Sequence, residues 1–167
     1  LNWNDLKHGI ISEINDHYLK GNDIVIKKSQ SITPENNSDE IVNKITPDII
    51  YIPFNYDVHT DHQIMSNAMQ SLIKWFRHPS VQKVLIYETL SETNFNFMGG
   101  NIFQPNVFVD ISDYLEEKVD IMKIYESELK NHPFPRSTKS IYALATLRGS
   151  QSGFKSAEAF QLVMERL

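Results

Sequence analysis

The stretch "NYDVHTDHQIM", residues 55–65, places two histidines and two aspartates close together, directly after the apolar run "DIIYIPF". His59 and His62 are three apart, so a helix beginning near Asp61 carries the second histidine in its first turn. A helix N-terminus bears partial positive charge, which disfavours imidazolium and keeps the ring neutral. Neutral imidazole is the form that ligates zinc. Asp57 and Asp61 are spaced to accept a hydrogen bond from a ring N–H and so to fix its tautomer and orientation. The same residues also suit a helix cap with two solvated histidines. A His-x-x-His pair leaves both readings open, because two ligands do not make a zinc site.

The elements around the cluster must deliver it to an edge where a ligand can reach. "DIIYIPF" is continuously apolar, as a buried parallel strand is, and "VQKVLIYE" and "NVFVDI" read as two more buried strands. "DHQIMSNAMQSLIKWF" reads as a helix with Ile64, Ala68, Leu72, Ile73 and Phe76 on one face. Upstream, Leu6, Ile10, Ile11, Ile14 and Tyr18 recur at helical spacing over residues 5–19, and residues 23–32 suit a strand. Ser38 is placed to cap a helix over "DEIVNKI", which Pro47 stops. Ser112 is placed to cap a long helix through about Leu129, and two shorter helices are expected near residues 137–147 and 156–166. This order argues for a single α/β layered domain with a partly parallel sheet. The cluster then leaves the C-terminal end of a strand and enters a helix, the edge where open α/β sheets bind ligands.

Composition narrows the chemistry. With 167 residues and 41 % hydrophobic content, the chain can bury a core and is not disordered. The absence of cysteine excludes thiolate zinc sites, disulfides and cysteine nucleophiles, and suits a cytoplasmic protein. A net charge of −5 and no basic stripe argue against a nucleic-acid partner. No apolar run approaches the ~20 residues of a membrane span. "GSQSG" at Gly149–Gly153 has Gln151 where a nucleophile elbow needs a nucleophile, so a turn or helix boundary is expected there. Glu116, Glu117, Glu126 and Glu128 read as a solvated helix face, and Trp3 and Trp75 as core or interface residues.

"PDIIYIPFNYDVHTDHQIM" resembles the second motif of the LmbE-like N-acetylglucosaminyl deacetylases, also called PIG-L deacetylases, in which an apolar strand ending in Pro leads through an acidic loop to His-x-Asp-His. "IYETLSET", "FQPNVFVDISDYLEEKVDIMKIYESEL" and "ALATLRGSQSGFKSAEAF" are similar too, in the family's order, from about Pro47 onward. The resemblance implies a Rossmann-like fold with a mostly parallel sheet. It also implies a zinc-dependent hydrolase that removes acetyl groups from N-acetylated sugars or glycoconjugates. By that resemblance His62 is a zinc ligand and His59 stabilises the oxyanion or protonates the leaving group. Asp61 would support a histidine from behind. Asp57, Tyr87, Glu88 and Asn106 are expected substrate contacts at the same edge, and Trp75 and Phe76 could line a homo-oligomer interface.

One departure is large. The family takes its other two metal ligands and its general base from a His-Pro-Asp-Asp motif after the first strand, and no Asp-Asp dipeptide occurs here. The His-Pro pairs at His78 and His132 continue with Ser80 and Phe134 and follow the cluster, so both read as loop residues. The opening "LNWNDLKHG" lacks an initiator Met and reads as mid-domain, so the expectation is a domain whose N-terminal part lies upstream of Leu1. Residues 1–167 alone would then be inactive. The alternative is a non-catalytic sugar-binding or scaffolding homologue that has lost the motif. A smaller departure is Ser156, where relatives often have Tyr before the late Ala-Glu pair, and Glu158 could reach the rim of the site or pack a helix.

Overall fold

A computed structural model describes residues 34–167 apart from Gly99; the helix expected over 5–19 and the strand over 23–32 lie outside these. Helix α1 (Pro34–Ile45) opens on a proline, whose fixed φ and missing N–H suit a first helical position. The helix is thus already formed at Pro34, four residues before the expected cap. Ser38 is a buried residue inside it, its hydroxyl 4.0 Å from the Met65 sulfur. Thr46 ends α1 in a left-handed conformation (φ 50°), donating its N–H to the Val42 carbonyl at 2.8 Å.

Strand β1 (Ile49–Pro53), helix α2 (Thr60–Leu72) and strand β2 (Lys83–Tyr87) form a β-α-β unit, with Pro53 opposite Tyr87 in the parallel ladder. After β2 come a 3₁₀ turn (Thr93–Phe95), strand β3 (Val107–Asp110), helix α3 (Leu115–Ile124), helix α4 (Thr138–Ser152) and strand β4 (Ala157–Glu165). The sheet order is β1-β2-β4-β3, and β4 is antiparallel to both neighbours. Three strands thus run one way and the inserted β4 runs against them. The α/β layering is as expected, while the pairing is mixed, with only β1–β2 parallel among the described strands.

Strand alternation sends successive residues to opposite faces. Ile50, Ile52 and Val84 join Val42, Met69, Leu72 and Val81 under α1 and α2. On the other face Leu85, Val109 and Phe160 join Ile111, Leu115 and Ala145 under α3 and α4.

Three expectations need correction. Ala157–Glu165 form strand β4, where a helix over 156–166 is expected. "AEAFQLVME" is rich in helix formers, but its place between β2 and β3 pairs both its edges, and tertiary pairing outweighs propensity. Helix α3 is shorter than expected, and Ser112 does not cap it. Its hydroxyl donates to Asp110 at 2.5 Å and accepts from the Ser156 N–H at 3.2 Å. In α2 the buried residues are Ser66, Ala68, Met69 and Leu72, whereas Ile64 is half exposed. Phe76 lies beyond the helix, exposed and edge-on to exposed Trp75.

The boundary expected at "GSQSG" is present. Gly153 closes α4 in the left-handed region (φ 80°), and a Cβ on Gly149 would sit 2.7 Å from the Phe154 carbonyl oxygen. Among the described residues no helix is long and apolar enough to cross a membrane.

Candidate functional site

The cluster sits where β1 ends and α2 begins. The chain turns sharply after Pro53, with the Asp57 N–H donating to the Phe54 carbonyl at 3.1 Å. His59 is the N-cap of α2 and takes the role usually filled by Ser, Thr, Asp or Asn. Its Nδ1 accepts the Asp61 backbone N–H at 3.2 Å. An accepting Nδ1 leaves the proton of a neutral ring on Nε2. His59 is exposed, so this donor faces solvent.

His62 is held the other way round. Its Nδ1 lies 2.7 Å from Oδ2 of Asp57, a residue with no exposed surface. Oδ1 of the same carboxylate accepts the Thr93 hydroxyl at 2.6 Å, and the Asp57 carbonyl accepts the Gln63 side-chain amide at 2.7 Å. Burial pushes the Asp57 carboxyl above its ordinary value, against the hydrogen bonds from Thr93 and His62, which pull it down. In a neutral ring, donation from Nδ1 to Asp57 leaves the lone pair of His62 on Nε2. The two rings stack at 5.1 Å between centroids, 28° from parallel. One edge of the sheet therefore carries a hydrogen-bond donor on His59 beside an electron-pair donor on His62.

The other expected contacts have different surroundings. The Asp57 carboxylate stands behind His62 with no open face, and Asp61 is exposed and tied to His59 through its backbone N–H. Tyr87 ends β2 beside Pro53 and packs against the α3–α4 core. Glu88 forms a two-pronged ion pair with Arg148 of α4, the Nε contact at 2.6 Å, and Arg148 lies over the Phe103 ring. Asn106 accepts the Leu162 N–H at 2.7 Å and so extends the β3–β4 pairing. Glu158 pairs with Lys118 of α3, and His78 is buried against Asp39 of α1 at 3.0 Å. Thr93 is not among the expected site residues, although it ends "IYETLSET", one of the stretches that carry the resemblance. It opens the 3₁₀ turn after β2, 36 positions from Asp57, and the adjacency of β1 and β2 brings it there.

A zinc ligand needs an available lone pair on an oriented ring, and His62 fits on both counts. Among the described residues no group of three or more His, Asp or Glu could hold a metal ion.

No protein-family model matches the sequence. Among solved structures, the chain is similar to a conserved protein from Thermus thermophilus, TT1542, with a TM-score of 0.63 and 18 % identity over 84 % of this chain and 63 % of that one. It is also similar to the N,N′-diacetylchitobiose deacetylase from Pyrococcus horikoshii, with a TM-score of 0.55 and 18 % identity over 78 % of this chain and 51 % of that one. The fold is like that of these two structures. The chain spans less than two thirds of the length of either structure. At this identity the similarity shows a shared fold and leaves the chemistry to the site itself.

Proposed function

We propose that the complete protein is a zinc-dependent hydrolase that removes the acetyl group from an N-acetylated sugar of the N-acetylglucosamine type. The observation that carries this reading is the opposed hydrogen bonding of the two histidines, His59 fixed by the Asp61 N–H and His62 by Asp57. It is supported by similarity to the fold of a deacetylase that acts on a chitin-derived sugar. A zinc ion at Nε2 of His62, with further ligands from outside the described residues, would polarise the acetyl carbonyl and activate a water. Asp57 keeps the His62 ring oriented and its lone pair outward. His59, with its proton on Nε2, donates to the carbonyl oxygen as negative charge develops there, or passes that proton to the departing sugar amine.

The test is acetate release from N,N′-diacetylchitobiose and from N-acetylglucosamine by the full-length protein, with and without zinc. Zinc-dependent release on either sugar is the expected result. Sugar binding without acetate release in the zinc-loaded protein would overturn the hydrolase reading in favour of a binding module.

A further inference from the structure

We propose that Thr93 is a positioning residue for this site: its hydroxyl sets the rotation of the Asp57 carboxylate and, through it, the ring of His62. The inference rests on the reading of His62 as a metal ligand. The geometry behind it is directional. The Thr93 hydroxyl accepts the Thr89 backbone N–H at 2.8 Å. A backbone N–H can only donate, so it fixes the hydroxyl as acceptor on that side and directs the hydroxyl proton elsewhere. The partner on the other side is Asp57 Oδ1, at 2.6 Å. Oδ1 is thereby occupied, and Oδ2 is the oxygen turned toward His62 Nδ1. The chain of donors runs from the Thr89 N–H to Thr93, on to Asp57, and meets the His62 N–H at the same carboxylate.

The segment that holds Thr93 is braced by backbone and side-chain hydrogen bonds. The N–H groups of Glu92 and Thr93 both donate to the Thr89 carbonyl, at 3.1 and 2.9 Å. Ser91 is held at φ 74°, and its N–H is taken by the Asn94 side chain at 2.8 Å. A non-glycine residue in that region is strained and persists only where its surroundings over-determine it. The Glu92 carbonyl also accepts the Val58 N–H at 3.4 Å, so the loop after β2 is tied to the histidine loop by backbone as well as side chain. Thr93 therefore reaches Asp57 from a braced support.

The experiment compares Thr93→Val, which keeps the shape and removes the hydroxyl, with Thr93→Ser, which keeps the hydroxyl, in the full-length protein. The first readout is the tautomer of His62 in the metal-free protein, from its ring ¹⁵N chemical shifts. Wild type and Thr93→Ser should hold the proton on Nδ1, while Thr93→Val should show a mixture of tautomers. The second readout is zinc affinity, expected to fall ~10-fold or more in Thr93→Val and to stay close to wild type in Thr93→Ser. A Thr93→Val protein with lowered melting temperature but an unmoved His62 tautomer and unchanged zinc affinity would overturn the proposal, since that is what a merely structural threonine does. His62→Ala separates the two readings. If it retains zinc, the metal assignment fails, and the tautomer measurement still decides the role of Thr93.

Discussion

Asp57 and His62 meet through Oδ2 and Nδ1 at 2.7 Å, with the aspartate sealed from solvent and the histidine a quarter exposed. The pair thus has an inner, fixed end and an outer, available one. Asp57→Asn retains the shape but offers a weaker acceptor to the ring. Zinc affinity of the full-length protein, measured by competition with a chelator, should fall ~10–100-fold. Equal affinity in the two proteins would show that the ring needs no carboxylate behind it.

The two histidines should separate cleanly. His62→Ala removes the outward lone pair and should lose the metal. His59→Ala should keep it while kcat falls on the order of 10²–10³-fold, the usual cost of one donor to an oxyanion. Zinc content by mass spectrometry, read beside the deacetylation rate, distinguishes the two variants. Equal zinc loss in both would make His59 a ligand.

Glu88 and Arg148 join the end of β2 to α4, 60 residues apart, and both are largely buried at 12 % and 13 % exposure. Arg148→Met leaves a buried carboxylate uncompensated and should cost about 3 kcal/mol in urea unfolding. Adding Glu88→Leu should recover much of that loss, because the double variant leaves no lone charge. Full additivity of the two costs would mean that the ion pair does not couple the strand to the helix.

Legibility tracks the range of the interaction. "DIIYIPF" announces a buried strand by its own composition, and the helix after it follows from local periodicity, so the placement of His59 and His62 at a strand–helix junction can be read directly. The choice between Asp57 and Asp61 as the ring's partner cannot. Both are near His62 in sequence, and only the turn closed by the Asp57 N–H on Phe54 brings Asp57 behind the ring. Strand β4 reads as a helix because its helix-forming residues are overruled only by neighbours far away in the chain. Thr93 depends wholly on the β1–β2 ladder, which no local pattern encodes.

Asp110 offers a test by pH at the far end of β3. The Ser112 hydroxyl, and after it the Ser112 backbone N–H, hold this carboxyl below its ordinary value. A carboxyl depressed by folding binds fewer protons in the native chain than in the unfolded one across the interval between its two values. Its stabilising contribution is therefore complete above the ordinary carboxylate value and is lost as the pH falls through the native one. Ser112→Ala removes the larger of the two causes and also an acceptor for the Ser156 N–H. The variant should be less stable than wild type at neutral pH. The part of the deficit due to Asp110 should shrink on acidification, leaving the pH-independent cost of the lost Ser156 contact. Because Asp110 is exposed, solvent and salt screen the effect, so the pH-dependent part should be small and weaker in high salt. Melting temperatures of the two proteins across the acid range check it. A difference that stays constant with pH would show that Ser112 acts only through Ser156.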